Sequence, residues 1–527
     1  MRLLSIAVTA VVVAGCPESQ PPPAVMDTSV IVDARGLTTA LVCPGAVGCA
    51  HADGLLLAGA AARTITPPVG ENDPPVWMAG FDIGRQATGV HDDQWARALV
   101  LERGDTAVGL VVLDLVGLFH DEVQRLRSAT LDAGLELDTI VVATTHVHEA
   151  KDTMGMWGSS VGATGIDPTY MQRLVDESVA ALAEARAALV PVSLRVGRGD
   201  ASPWVRDSRQ PIVLDPTVTA LDFVDEQGGS RATLVVWGNH PEALGSDNTL
   251  LTSDYPHFLR EEVEARLPGT VAIFAPGLLG GLTTTIGLTV CPDDAGAETC
   301  PQGTFERAER IGREVGQIAA ESVLDAPLVD GALAFRRLGT FLTPTNTPLA
   351  LAFQLGMIRR AVWDEQGERI PDDQLEFLSI DDVIAGKIRI GSEVSSLSLG
   401  DVELTGMPGE LYSELWLAKE DGTSFVERPE GGDLPDAEPE PAYSGLVREA
   451  PVRVVLNNAG DALGYIIPAP QWDVDEPFAY DPEGQYGEQN SIGPGMAPAL
   501  VEALRALAAL TPPAALGQPL SATDRAP

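Results

Sequence analysis

The sequence predicts a mixed α/β fold in which mixed β-sheets are flanked by helices. The first observation is that apolar, β-branched runs typical of buried strands alternate with longer segments of helical periodicity. The second is size, because 527 residues, of which 45% are hydrophobic, are enough to bury a large core. The sequence contains no repeat of solenoid period, which argues against a stacked repeat architecture.

The predicted elements alternate through the body of the chain. Strands are predicted at 106–118, 138–148, 231–240, 270–277, 402–410 and 451–460, and helices at 120–134, 168–189, 253–267, 306–324 and 411–419. Two stretches rich in Asp, Glu, Pro and Gly, 420–445 and 468–495, are predicted to be surface insertions.

The first 16 residues are similar to a bacterial lipoprotein signal. Arg2 precedes a short apolar run, and the small residues Ala14 and Gly15 stand directly before Cys16. The run is too short to cross a bilayer as a permanent helix. We therefore expect a signal peptide at 1–15 and a lipidated Cys16, which would attach an exported protein to a membrane of the bacterial cell envelope. The alternative is an ordinary secretory signal with a coincidental cysteine.

Composition divides the rest of the chain into three parts. A Pro-rich stretch follows Cys16 and is typical of a spacer, and we place it with a small cysteine loop in residues 16–57. The compact body is expected at 58–512, and a flexible tail at 513–527.

Four further cysteines form two close pairs, each around a short loop containing Pro and Gly. Disulfides persist in the compartments to which exported proteins are delivered. Of the three ways to pair four cysteines, we predict the local bridges Cys43–Cys49 and Cys291–Cys300, with free thiols as the alternative. Neither pair has C-x-x-C spacing, so we do not assign these cysteines to a metal.

The formal net charge of -41 bears on the class of partner. Nucleic acid is not an expected partner, because binding to phosphates requires basic side chains. Anionic lipid would also be repelled unless the chain were tethered to the membrane. An acidic surface is most often a means of staying soluble.

Several predicted strands end in residues that bind metals or take part in catalysis. They are His146, His148, His240, Glu242, Glu410 and Tyr465, and a Gly-rich turn precedes Thr283. If the strand continued through the H-x-H pair, both imidazoles would lie on one face. Each residue taken singly is equally compatible with a structural hydrogen bond. Together, two imidazoles, a carboxylate and a phenol oxygen form a set that suits zinc.

Seven stretches of the chain resemble, in order, those of the neutral/alkaline ceramidase family over roughly residues 58–512. They are "ARTITPP", "GVHDDQWARALVLE", "VVATTHVHEAKDTMGMWG", "WGNHPEALGSDNTLLTSDYP", "FAPGLLGGLTT", "MPGE" and "NNAGDALGY". Characterised members of the family cleave the amide of N-acylsphingosine with a zinc ion. The resemblance therefore implies the family's catalytic fold, Zn²⁺ as cofactor and a lipid or other N-acyl amide as substrate.

The resemblance also implies a role for individual residues. The implied zinc ligands are His146, His240, Glu410 and Tyr465, and the implied catalytic residues are His148 for proton transfer, Arg209 as an active-site arginine, Tyr486 as an oxyanion stabiliser and Thr283 in the Gly-rich turn. Tyr480 competes with Tyr486 for the oxyanion role, because this loop is longer than in the family.

The chain departs from the family pattern near the substrate. Gly281 and Thr283 stand where ceramidases carry Asp and Ser, and "EAKDTMGMWG" replaces a Ser-Gly-Pro-type stretch. The family's C-terminal immunoglobulin-like domain is not expected here. We therefore predict zinc-dependent hydrolysis of a ceramide-like amide or a related ester, with metal-dependent hydrolysis better supported than ceramide as the substrate.

Two other functions remain open. "GSSVG" matches G-x-S-x-G and would make Ser160 the nucleophile of a serine hydrolase, which requires a strand before it and a helix after it. A non-catalytic, envelope-anchored binding protein on a ceramidase-like scaffold would also account for the departures.

Overall fold

The computed structural model describes residues 40–46, 49–281, 283–292, 298–371, 374–375 and 378–510. The predicted signal peptide, the lipidation site Cys16 and the predicted tail at 513–527 lie outside these residues. The strands are β1 Ala40–Cys43, β2 Leu57–Thr64, β3 Gly89–Val90, β4 Trp95–Arg103, β5 Thr106–Leu113, β6 Thr139–Thr144, β7 Val190–Asp200, β8 Arg206–Asp207, β9 Thr217–Asp225, β10 Ser230–Trp237, β11 Leu250–Leu251, β12 Val271–Pro276, β13 Thr283–Thr284, β14 Leu328–Val329, β15 Leu333–Leu342, β16 Val362–Asp364, β17 Arg369–Ile370, β18 Ile388–Leu399, β19 Val402–Gly406, β20 Glu410–Leu411, β21 Val452–Leu456 and β22 Tyr465–Ile466.

The helices are α1 His120–Asp132, α2 Pro168–Ala187, α3 Tyr255–Arg266, α4 Phe305–Leu324, α5 Thr347–Gln354, α6 Ile380–Ile384, α7 Ser413–Trp416 and α8 Met496–Ala509. The start of α2 shows how the sequence sets a boundary. Asp167 accepts a hydrogen bond from the backbone of Thr169, and Pro168 occupies the first turn, where its missing N–H costs nothing.

Two large sheets of mixed strand direction form the centre of the molecule. The first has nine strands in the order β12-β10-β9-β7-β2-β4-β5-β6, with β14 paired to β7. The second has seven, in the order β1-β15-β18-β16-β17, with β19 joined to β18 and β21 joined to β19. The pairs β5–β6, β10–β12 and β19–β21 are parallel, whereas most of the others are antiparallel. The predicted mixed α/β fold is confirmed.

The two sheets pack face to face and bury one apolar core between them, to which Leu110 and Leu234 contribute from the first sheet and Leu397 and Leu404 from the second. Helices α1 and α2 cover one half of the outer face of the first sheet, and α3 and α4 cover the other half. Helix α8 packs on the outer face of the second sheet. The result is four layers, with the sheets inside and the helices outside.

The folded body begins earlier than the predicted boundary at residue 58. Strand β1 pairs with β15 in the second sheet, and Cys43 and Cys49 are buried in the core between the sheets. The described residues between 40 and 57 therefore belong to the body, because apolar side chains of β1 and both cysteines pack into the sheet interface. Both predicted disulfides, Cys43–Cys49 and Cys291–Cys300, are present.

Two other sequence predictions are corrected. The stretch 468–495 is not a surface insertion throughout, since Trp472 and Ile492 are buried in the core on the outer side of the second sheet. The predicted helix at 411–419 is reduced to the single turn of α7. Of the helices in the described ranges, none is both long and apolar enough to cross a membrane.

Candidate metal centre and active site

The four predicted ligands meet where strands of both sheets end. His146 follows β6 and His240 follows β10, so both come from the first sheet. Glu410 and Tyr465 are aligned residues of the short parallel pair β20–β22, which follows β19 and β21 of the second sheet. The candidate site thus spans the two sheets, and each predicted ligand lies in a short strand or just beyond the end of one.

The donor atoms of His146, His240 and Glu410 converge in a buried cluster. One ligand atom from each lies within 4.8 Å of the others. Glu410 Oε2 is 3.0 Å from His240 Nε2 and 3.4 Å from His146 Nε2. The Tyr465 hydroxyl is 3.5 Å from His240 Nε2, so the fourth predicted ligand faces the same point.

The outer nitrogens of both imidazoles are fixed by backbone carbonyls. His146 Nδ1 is 2.6 Å from the carbonyl of Val116, and His240 Nδ1 is 2.7 Å from that of Thr283. A carbonyl only accepts, so each Nδ1 carries a hydrogen and donates it. In the neutral rings, the Nε2 lone pairs then point at the Glu410 carboxylate. Positive charge is needed between these groups, and nitrogen and oxygen donors with this support suit zinc.

The shifted pKa values of Glu410 and His240 also indicate that this cluster needs positive charge. Burial opposes ionisation of Glu410, but His146 and His240 hold its pKa well below the usual range. Burial also acts to lower the pKa of His240, yet the hydrogen bond with Glu410 raises it to about 9. Without a metal, a proton on His240 would supply the charge that the cluster needs.

The sequence predicts that His146 and His148 share a face because side chains alternate along a strand, but the strand does not reach them. Strand β6 ends at Thr144, and His146 has a φ of 67°, in the left-handed region that is uncommon for a residue with a side chain. The ring centroids of His146 and His148 are nevertheless only 5.0 Å apart. The turn after β6, and not the strand, therefore brings the two imidazoles together, at the kind of strained position found in functional sites.

His148 lies beside the candidate metal cluster of His146, His240 and Glu410 without joining it. Its ring centroid is 5.9 Å from that of His240, and Phe81 packs edge-on against it at 4.9 Å. Among the described residues, neither ring nitrogen of His148 has a hydrogen-bond partner. Burial and the neighbouring His146 and His240 hold the pKa of His148 well below 6.5, so the ring is neutral near pH 7.

Comparisons with known proteins agree with this geometry. No protein-family model matches the chain. A curated relative, the neutral ceramidase of Pseudomonas aeruginosa, is 26% identical over an alignment of 235 residues, and the match covers 40% of this chain and 35% of the relative. The matched region therefore spans little more than a third of that protein's length.

Two solved structures cover most of the fold. A ceramidase described as complexed with C2 superposes with a TM-score of 0.63 at 17% identity, over 86% of this chain and 75% of that chain. The neutral ceramidase from Pseudomonas aeruginosa superposes with a TM-score of 0.61 at 18% identity, over 86% of this chain and 74% of that one. This chain contains a neutral ceramidase-like domain.

Glu242 is a residue of the candidate site to which the resemblance gave no role. Its Oε1 accepts a hydrogen bond from Thr284, and its Oε2 is 3.8 Å from His148 Nδ1. Burial raises the pKa of Glu242, while His240 and His146 act to lower it. The sequence signal was its place after His240 at a strand end, but only the fold brings it to His148.

The guanidinium of Arg209 is bonded within the protein and is not free to contact a substrate. Its guanidinium forms a buried ion pair with Glu488, with Nη2 2.6 Å from Oε1. The same guanidinium donates to the carbonyl of Tyr486 at 2.7 Å. Arg209 therefore contacts the segment that carries the predicted oxyanion tyrosine.

Tyr486 is the better placed of the two candidate tyrosines. Its ring centroid is 6.1 Å from that of Tyr465. The Tyr486 residue is 44% exposed, but desolvation around its hydroxyl and then the carboxylates of Glu410 and Glu242 raise the pKa of this group, so the hydroxyl stays protonated. Burial also raises the pKa of Tyr480, and the next contribution comes from Glu427, which lies in the acidic stretch 420–445. The geometry favours Tyr486 as the tyrosine that faces the metal cluster.

The hydroxyl of Thr283 is bonded within the protein, which does not favour a catalytic role for it. The Thr283 hydroxyl is 3.0 Å from the carbonyl of Leu278 and 3.1 Å from that of Leu279, and it donates to this pair. Thr283 serves the centre instead through its carbonyl, which holds His240.

Ser160 is exposed in a turn, with neither a strand before it nor a helix directly after it, so the context required of a nucleophile elbow is absent.

A pH-dependent stability is expected from Glu414, which is buried near Arg209. Burial raises the pKa of Glu414 from 4.5 to about 8. Between these values the unfolded chain binds fewer protons than the folded one, so this carboxyl lowers the free energy of unfolding as pH rises, by at most about 1.4 kcal/mol per pH unit. Glu414→Gln should remove that slope, and its unfolding temperature should exceed that of wild type by a margin that grows between pH 5 and pH 9.

Thermal unfolding followed by circular dichroism across this range measures the margin. Glu430→Gln, at an exposed position in the acidic stretch 420–445, removes one carboxylate in the same way and is the control. A margin that stays constant with pH would show that Glu414 ionises in the folded state as it does in the unfolded one.

Proposed function

We propose that this ceramidase-like domain is a zinc-dependent hydrolase that cleaves an N-acyl amide, such as a ceramide-like lipid, or a related ester. The observation that carries the proposal is the convergence of His146, His240 and Glu410 within 4.8 Å, with both outer imidazole nitrogens fixed by carbonyls. Tyr465 would complete the four ligands.

Each part of the reaction has a residue suited to it. When bound, a zinc ion would acidify a water molecule and polarise the scissile carbonyl. His148 would take up the proton at Nε2, because its Nδ1 faces Glu242 at 3.8 Å. Tyr486 would donate its hydroxyl to the oxygen on which negative charge develops, the interaction that is usually the largest contribution to such catalysis. The proton on His148 would then pass to the departing nitrogen.

The substrate test uses purified protein loaded with zinc and a panel of N-acyl amides and esters. The panel includes an N-acylsphingosine, an N-acylethanolamine, an N-acyl amino acid and a p-nitrophenyl ester. We expect hydrolysis of at least one amide that is lost with a chelator, restored by zinc and unaffected by a serine-directed fluorophosphonate. Zinc binding without hydrolysis of any compound would instead support a binding protein, and inhibition by the fluorophosphonate alone would support a serine hydrolase.

We also propose that the protein acts at a membrane of the bacterial cell envelope, attached through a lipid on Cys16. The support is the similarity of residues 1–16 to a lipoprotein signal, together with two disulfides in the folded body, which are typical of exported proteins. Mass spectrometry of the N-terminal peptide from the native membrane fraction tests this. Unmodified Cys16 in that peptide would exclude the anchor.

A further inference from the structure

The segment 486–491, which we call the tyrosine loop, is held at several points by side chains from distant parts of the chain. Arg209 bonds the carbonyl of Tyr486 and the carboxylate of Glu488. Asn346 donates its side-chain amide to the carbonyl of Glu488 at 2.6 Å and to that of Ser491 at 2.8 Å. A loop with this many anchors is held in one conformation.

The ion pair at the base of the loop is unusually well buried. The side chains of Arg209 and Glu488 are each 2% exposed. Their two parallel contacts are 2.6 Å and 3.0 Å long, the geometry in which arginine best matches a carboxylate. Burying two charges is costly, so a pair of this kind is weak evidence for stability and is better explained by a requirement for a fixed position.

Gly487 allows the guanidinium to approach the loop. Its φ is 145°, in the region that favours glycine, and a Cβ there would lie 2.6 Å from the Tyr412 hydroxyl and 3.0 Å from Arg209 Nη1. Any side chain at this position would therefore push the loop away from Arg209.

The loop also fixes the direction of the Tyr486 hydroxyl. Asn490 donates its side-chain amide to this oxygen at 2.5 Å. Because the oxygen already accepts a hydrogen bond, its own hydrogen is left to be donated elsewhere. The ring of Tyr486 packs edge-to-face against that of Tyr465, one of the predicted ligands, with 6.1 Å between the centroids.

We propose that Arg209 and Glu488 are positioning residues, and that their buried ion pair holds the tyrosine loop so that the Tyr486 hydroxyl is presented to the metal cluster. This inference rests on the proposed function for the role of Tyr486 in catalysis. It assigns Arg209 a different part from that of a residue that binds substrate, since both of its terminal nitrogens are engaged within the protein.

Hydrogen–deuterium exchange tests the positioning without any need for activity. In Glu488→Gln, which keeps the size of the side chain but removes its charge, we expect amides of the tyrosine loop to exchange about tenfold faster or more. Amides of β6 and β10, which lead to the metal ligands, should be unchanged, as should the zinc content. Gly487→Ala should give the same pattern without any change of charge. Unchanged exchange in the loop in both variants would overturn the proposal.

Kinetics then test whether the pair acts through Tyr486. Glu488→Gln should lower kcat by about 10- to 100-fold with little change in KM, as expected for a misplaced catalytic group. In a Tyr486→Phe background the same substitution should cost less than about twofold more, because residues that act as one unit are not additive. Equal losses in both backgrounds would overturn the proposal.

The matched control is Glu393→Gln, which breaks the buried pair of Glu393 with Arg127, remote from the tyrosine loop. It should lower stability without accelerating exchange in the loop, and its effect on kcat should be the same with Tyr or Phe at position 486. If the wild type hydrolyses nothing while Glu488→Gln still frees the loop, the proposed function fails and the positioning stands.

Discussion

Replacing His146 and His240 together by alanine is expected to abolish both metal binding and hydrolysis. The wild type should hold about one zinc ion per chain, as a four-ligand site does. The double variant keeps only Glu410 and Tyr465, which cannot fix an ion tightly. Hydrolysis should fall to the background rate of the assay, because the proposed reaction depends on an acidified water.

Zinc content by elemental analysis and thermal unfolding with and without zinc measure this directly. At a free zinc concentration 100 times Kd, the wild-type free energy of unfolding should rise by about 2.7 kcal/mol, and that of the variant should not change. His51→Ala/His257→Ala removes two histidines that lie outside the cluster and serves as the control. If wild-type protein takes up no zinc even after loading, the hydrolase mechanism proposed for this domain is wrong.

The parts of this centre that were predictable from sequence are those fixed by local order. His146, His240 and Glu410 each follow an apolar strand within a few residues, and strand ends are where α/β proteins place their sites. The alternation of strands and helices likewise sufficed for the mixed α/β fold. Local composition misled at Ala40–Cys43, where a strand follows a Pro-rich stretch and pairs with β15, almost 300 residues further along.

The parts that were not predictable depend on contacts between distant residues. Arg209 and Glu488 are separated by 279 positions, and nothing local to either indicates that they pair. Glu242 was visible at a strand end, but its position against His148 follows from the turn after β6, where His146 takes a positive φ. Such details arise from tertiary packing, which overrides the periodicity of a strand.

The second large effect is expected at His148, the proposed proton acceptor. His148→Ala should lower kcat by about 10²- to 10⁴-fold, the usual contribution of a general base. Zinc content should not change, because the four ligands are intact. Since the ring is buried and the substitution leaves a space of its size, added imidazole should restore part of the activity, and N-methylated imidazoles of larger size should restore less.

The Glu242→Gln variant distinguishes His148 from Glu242 as the proton acceptor. If Glu242 orients His148 through Nδ1, its substitution should lower kcat about tenfold in the wild type and have little further effect in His148→Ala. If His148→Ala instead keeps its activity while Glu242→Gln loses it, the carboxylate is the proton acceptor. Asp247→Asn, an exposed acidic residue of the same loop, removes the same charge and should leave kcat unchanged. A loss there as well would trace the effect to the net charge of the loop rather than to contact with His148.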